Sequence, residues 1–184
     1  MDYNDAMGRR EEPAQRSGWR RAVEQSARFE YALAGWDWDG IDRVLDLGCG
    51  TGELAAWLAQ TGRRAEYIGV DCREEIIDEA RSRHPEAEFI NGDLYALDRR
   101  TIGADLTVAI GTLIDGRPPD DRDDRRRRAR RLVETAVSTA GLGAVVAALN
   151  QDVVRSRPEL LLEPALFGVE RAWFDGVLSS ARPK

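Results

Sequence analysis

Val44-Leu45-Asp46-Leu47-Gly48-Cys49-Gly50-Thr51-Gly52 is the stretch on which the fold turns. Its first four residues, three of them large aliphatics, suit a short strand buried on both faces. Glycines at alternate positions then end the regular ladder and let the backbone take positive φ and approach a neighbour closely. Leu54 to Gln60 resumes as an apolar helix, and Gly62 is placed to end it. Strand, glycine turn and helix in that order open a parallel α/β sheet. Ligands of such sheets sit outside the carboxyl ends of the strands, where strand order reverses.

The alternation continues downstream. Tyr67 to Val70 reads as a second strand stopping at Asp71, and a helix from about Glu74 to Arg83 is ended by Pro85. Glu88-Phe89-Ile90 is a third strand, closed by Asn91-Gly92-Asp93, and Leu106 to Ile110 is a fourth, ahead of a Gly111-Thr112 turn. A loop from Asp115 to Asp121 leads into a long helix from about Asp123 to Ala140, whose acidic start suits the positive end of the helix dipole. Gly141 and Gly143 read as its break and Ala144 to Leu149 as a fifth strand. Short apolar strands joined by helices predict an α/β, Rossmann-like, mostly parallel sheet.

Upstream, Ala22, Phe29, Leu33 and Trp36 recur at helical spacing within Trp19 to Trp36, and residues 1–17 read as a flexible polar arm. The expected organisation is that arm followed by a single domain over 18–184. After Asn150 the pattern predicts a helix over Pro164 to Leu178 and no strand pair.

Composition narrows the function classes. A chain of 184 residues suits one core. No apolar stretch approaches the roughly 20 residues that span a bilayer, and the polar start lacks the apolar centre of a signal peptide. The expectation is therefore a cytoplasmic protein without membrane partners. Cys49 and Cys72 lack CxxC spacing and His84 is the single histidine, so no His/Cys metal centre is expected.

The net charge of −6 argues against holding nucleic acid by bulk charge. The arginines at 122, 125–128, 130 and 131 suggest an RNA surface only until Asp120, Asp121, Asp123 and Asp124 are counted beside them. A solvated helix face with intrahelical pairs accounts for both sets. His84 is expected at the far end of its helix, on the side away from the ligand edge, and so not as a base.

Three acidic residues stand at strand ends. Asp-x-Gly-x-Gly-x-Gly has one residue fewer before its last glycine than the dinucleotide fingerprint GxGxxG, so it does not announce a pyrophosphate site. Asp46 suits the cationic part of a ligand, or else stabilises its loop. Asp71 lies about 20 residues beyond the turn, where an acidic residue accepts from two ribose hydroxyls. The alternative is an N-cap for the segment beginning near Arg73. Asp93 suits an adenine amino group, with Leu94 against the ring, or else belongs to a plain Asn-Gly turn.

As a set, Asp46 to Gly52, Gly69-Val70-Asp71 and Asn91-Gly92-Asp93 resemble the successive motifs of class I S-adenosylmethionine (SAM) methyltransferases of the bacterial small-molecule type, over roughly residues 40–150. The resemblance implies SAM as cofactor, S-adenosylhomocysteine (SAH) as product, and a small acceptor methylated at oxygen or nitrogen. It implies that Asp46, Gly48, Cys49, Gly50 and Gly52 shape the methionine site. Asp71 and Cys72 would lie at the ribose, Asp93 and Leu94 at the adenine. Ile110 and Gly111, at the fourth strand end, would face the methionine part and the acceptor.

Gly18-Trp19, Gln25 and Arg28-Phe29 resemble an N-terminal helix that lids the cofactor in some bacterial enzymes. That implies Trp19 and Arg28 near SAM; an ordinary packed helix is the alternative. Ile110-Gly111-Thr112-Leu113 differs from the Asn-Pro-Pro-aromatic or Asp-Pro-Pro-aromatic motif of amino methyltransferases acting on adenine or glutamine, which disfavours those acceptors.

Tyr95 and Asp115 are the candidates for a base. The family's sheet usually ends in an antiparallel strand pair, which this chain is expected to lack. The fifth strand would then be an open edge, or one covered by a second copy in a homodimer. Leu160, Leu161, Leu162, Leu166, Phe167, Trp173 and Phe174 are expected in core packing, an acceptor pocket or a dimer face. A non-catalytic SAM- or SAH-binding regulatory subunit and an RNA methyltransferase are the alternative functions.

Overall fold

The computed structural model describes residues 22–97, 102–112, 122–149 and 167–173. In chain order the elements are α1 (Ala22–Ala32), β1 (Arg43–Leu47), α2 (Glu53–Gln60), β2 (Glu66–Asp71), α3 (Glu74–Arg83), β3 (Glu88–Asn91), β4 (Ala104–Ile110), α4 (Arg122–Thr139), β5 (Ala140–Leu149) and β6 (Phe167–Trp173). Short 3₁₀ turns occupy Trp38–Gly40 and Leu94–Ala96.

The strands form one sheet in the order β3-β2-β1-β4-β5-β6. The first five are parallel, and β6 runs antiparallel on β5 from Gly143↔Trp173 to Leu149↔Phe167. From β1 the chain first moves out to β2 and β3, then returns to place β4 on the other side of β1. The reversal therefore falls between β1 and β4, and ligands of such sheets bind beside that point, at the carboxyl ends.

Successive strand residues feed two cores because their side chains alternate between the faces of the sheet. On one face Val44, Tyr67, Phe89 and Val108 pack with Phe29 of α1 and Leu33 just beyond it, Leu54 and Trp57 of α2, and Ile77 of α3. On the other, Leu45, Leu47, Ile68 and Val70 pack with Leu132 and Ala136 of α4. Leu45, Leu47, Leu54, Ile77, Leu106 and Leu132 are fully buried, each worth roughly 1.5–3 kcal/mol against exposure. Thr107 and Thr139 satisfy one another inside the second face at 3.1 Å.

Two expectations are corrected here. Gly141 and Gly143 do not break the chain before a strand; they lie within β5, which starts directly after α4 at Ala140. Glycine is poor in a helix, and Gly143 is held in the strand by pairing with Leu106 on one side and Trp173 on the other. Second, residues 167–173 are strand, not part of a helix over Pro164 to Leu178. The open edge of β5 presents a row of backbone donors and acceptors, and pairing satisfies them. The expected loss of the antiparallel element therefore fails for β6, and the edge that motivated a homodimer is covered by the chain itself.

The N-terminal arm, Trp19, Asp115, Leu160, Leu161, Leu162, Leu166 and Phe174 lie outside the described residues. Among the described residues, no helix is long and apolar enough to cross a membrane.

Candidate functional site

The glycine turn after β1 is shaped by contacts within the chain. Gly48, Gly50 and Gly52 have φ of 80°, 56° and 85°. The amides of Gly48 and Cys49 both donate to the carbonyl of Val70, at 2.8 and 3.0 Å, which ties the turn onto the end of β2. A Cβ on Gly48 would lie 2.5 Å from Cγ2 of Thr112, whose hydroxyl donates to the carbonyl of Leu47. The ends of β1 and β4 thus close on one another across the reversal point. Arg83, at the end of α3, donates to the carbonyl of Thr51 at 3.0 Å and pairs with Glu53, clamping the first turn of α2.

Two of the three aspartates meet at this turn. Asp71 is 6% exposed; its Oδ2 accepts from the Gly50 amide at 3.2 Å, and its Oδ1 from the Arg73 amide at 3.1 Å and Nε at 3.2 Å. The N-cap reading of Asp71 holds in part: Arg73 is itself the N-cap residue of α3 and caps nothing with its own side chain, while Asp71 caps the Arg73 amide from two residues upstream. Asp46 is 5% exposed, and its Oδ2 accepts from the Tyr67 hydroxyl at 2.7 Å. Burial pushes its carboxyl up to about 7; the Tyr67 hydrogen bond opposes that rise and the nearby Asp71 charge adds to it.

Asp93 is exposed two residues past β3, and its Oδ1 accepts from the Tyr95 amide at 2.9 Å, capping the 3₁₀ turn. The local-turn role is thus present in the structure. The same loop is fastened to Asp71: the Gly92 amide and the Asn91 side chain both donate to the Asp71 carbonyl, at 3.0 and 3.3 Å.

Leu94 is buried against the second core, and Tyr95 is half-buried under the Arg131 guanidinium, 4.9 Å from its ring centre. Cys49 is buried, and burial pushes its thiol up; Cys72 is exposed. Ile110 is buried, and the Gly111 amide donates to the Ala147 carbonyl at 2.9 Å with Gly111 at φ 84°. Arg28 is buried on α1, the helix that packs on the Asp46 face.

His84 does stand at the far end of α3, as its C-cap, but the side expected for it is overturned. It packs against the glycine turn, 2.6 Å from where a Cβ on Gly52 would stand. The glycine leaves the space that the imidazole fills, so α3 closes onto the start of α2. Burial and the Arg83 charge hold its pKa below the ordinary value. Among the described residues, no group of three His, Cys, Asp or Glu side chains could hold a metal ion.

A family described as "Methyltransferase domain" matches residues 44–136, half of the chain. The chain belongs to this family.

Trans-aconitate 2-methyltransferase of Escherichia coli O157:H7 is 37% identical to this methyltransferase domain over 73 residues, 40% of the chain and 29% of the relative. The chain thus spans less than a third of the curated relative it matches. Among solved structures, the PH0226 protein from Pyrococcus horikoshii OT3 superposes with a TM-score of 0.59 at 20% identity, over 78% of this chain and 66% of that one. Magnesium protoporphyrin IX methyltransferase from Synechocystis PCC 6803, crystallised with SAH, superposes with a TM-score of 0.53 at 21% identity, over 82% and 68%. These likenesses establish the α/β sheet of class I methyltransferases as the fold.

Sequence reasoning missed the roles of three residues of the site in this methyltransferase domain. Tyr67 read as an ordinary strand residue, and Gly69 stood only within the second motif, without its close approach to Cys49, 2.8 Å from Sγ to where a Cβ would be. Thr112 and Arg83 read as turn and helix surface. A tyrosine within an apolar strand was the available signal, because a buried hydroxyl needs a partner.

Proposed function

We propose that this domain transfers a methyl group from SAM to oxygen or nitrogen of a small-molecule acceptor. The single observation that carries the reading is the bond between the Gly50 amide and Asp71. It joins the glycine turn and the acidic end of β2 into one buried site beside the reversal point. Family membership and the solved structures of methyltransferases support the same reading.

The donor set fits the cofactor. Asp71 stands at the strand end where a ribose diol would bind, the diol hydroxyls taking the places of the long Arg73 guanidinium contacts at 3.2 and 3.5 Å. Asp93 and the backbone of 91–93 lie on the same side, fastened to Asp71, for the adenine end. Asp46, a carboxyl buried without a cation among the charges that shift it, suits the ammonium or sulfonium end. When bound, SAM supplies an activated methyl on a sulfonium.

The chain's task is then to hold donor and acceptor in line and to exclude water, which supplies much of the rate through proximity. His84 is enclosed between Gly52 and Phe89, which supports catalysis by positioning over catalysis by an imidazole base.

Calorimetry and thermal shift with SAM and SAH test the reading. Binding of both is expected, and no heat or shift at saturating ligand overturns it. A non-catalytic SAM-binding subunit would bind as tightly yet turn over SAM with no acceptor. The RNA reading is weakened because Arg130 pairs with Glu134 at 2.8 Å and Arg131 covers Tyr95. Gel mobility of RNA unchanged by the protein would remove it.

A further inference from the structure

We propose that Tyr67 is a positioning residue for the cofactor: its buried hydroxyl orients Asp46 and favours, against burial, the carboxylate that meets the cationic end of SAM. The inference rests on the SAM reading above and adds to it a residue and a pH dependence.

The geometry is specific. Asp46 and Tyr67 project from adjacent parallel strands onto the same face of the sheet, where Asp46 pairs in register with Gly69, two residues beyond Tyr67. A Cβ on Gly69 would stand 2.8 Å from Sγ of Cys49 and 2.9 Å from Cδ1 of Phe89, so glycine there leaves room for the Phe89 ring on which Tyr67 packs. The ring is fixed against Phe89, with centroids 5.7 Å apart, and the hydroxyl donates to Oδ2 at 2.7 Å. Burial pushes the Tyr67 hydroxyl up, so it remains a donor at any physiological pH. With Oδ2 engaged, Oδ1 has no hydrogen bond within the described residues and is left for a ligand.

The charges around Asp46 leave this bond with a decisive part. Asp71 at the end of β2 opposes ionisation; Cys49 in the turn is a buried thiol; Glu53 on α2 faces Tyr67. Arg73 is engaged with Asp71, and Arg28 is a buried cation of α1 on the same face. The Tyr67 hydroxyl is the group that lowers the Asp46 pKa against burial. A cation arriving at Oδ1 favours the carboxylate further, so cofactor binding expels the Asp46 proton to solvent.

The test measures SAH affinity from pH 5.5 to 9 by calorimetry for the wild type, Tyr67→Phe and Asp46→Asn, with thermal unfolding of each. Affinity of the wild type should rise with pH along an acid limb. Tyr67→Phe should move that limb to higher pH and weaken binding about tenfold near pH 7, the size expected for a hydrogen bond to a charged group. The loss should shrink at pH 9. Asp46→Asn should have no limb at all.

A purely structural Tyr67 would weaken binding equally at every pH, and that result overturns the proposal. So does a limb that Asp46→Asn retains, a comparison that stands even if Tyr67→Phe does not fold. A wild type that fails to bind SAH at any pH overturns the SAM reading itself, which separates the two failures.

Discussion

The Cβ that Gly52 lacks would stand 2.6 Å from Cδ2 of His84 and 2.9 Å from Cζ of Phe89. Gly52 is thus needed by the packing of α2 on α3 as well as by its φ of 85°. Gly52→Ala should lower stability by roughly 2–4 kcal/mol, from backbone strain plus overpacking of a closed site. Gly62 is the control. It has φ 72° but nothing within 4 Å of its Cβ position, so Gly62→Ala should cost only the left-handed conformation, about 1 kcal/mol. Urea unfolding of both variants measures the difference.

Asp71 serves the Gly50 amide and Arg73 at once. Asp71→Asn keeps an acceptor for one of them but loses the charge. Cofactor affinity should fall about 10- to 100-fold, as for loss of a charged hydrogen bond, while stability changes by about 1 kcal/mol. Calorimetry with SAH and urea unfolding, run side by side, separate the two effects.

Asp46 sets an alkaline limb of stability in the ligand-free protein. Its folded pKa of about 7 lies above the ordinary value of 3.8, so the folded state keeps a proton that the unfolded chain has released. Stability from this group is therefore complete below pH 3.8 and lost as pH rises through about 7. The upper bound on the loss is on the order of 4 kcal/mol. Asp46→Asn should flatten this limb and leave the protein more stable than the wild type at pH 8, as judged by denaturant midpoints across pH.

His84 works in the opposite direction. Its folded pKa lies below 6.5, so its contribution is complete above pH 6.5 and lost as pH falls through the folded value. His84→Gln should remove that acid limb. Thermal unfolding between pH 4.5 and 8 would show it as a smaller drop in Tm than the wild type suffers.

Most of the frame was legible in residue order. The strands at 44–47, 67–70, 88–90 and 106–110 were visible because a strand buried on both faces must be apolar throughout, whatever its neighbours. The glycine turn and the acidic residues at 46, 71 and 93 were visible because turn chemistry and strand ends are local. The strand at 167–173 was not. Its residues are compatible with a helix, and only the open edge of β5, distant in sequence, makes a strand the better outcome. Gly141 and Gly143 were misread for the same reason.

Within the site the division is sharper. The sequence by itself determined that acidic residues would stand at the carboxyl ends of β1 and β2 beside a glycine turn. Tertiary structure alone decided that Asp71 would bind the Gly50 amide, that Tyr67 would bind Asp46, and that His84 would lie against Gly52. Each of these contacts joins residues about 20 or more apart in the chain, through register between strands and the stacking of helices on them. No local pattern encodes such pairings, because they depend on where the whole sheet places each side chain.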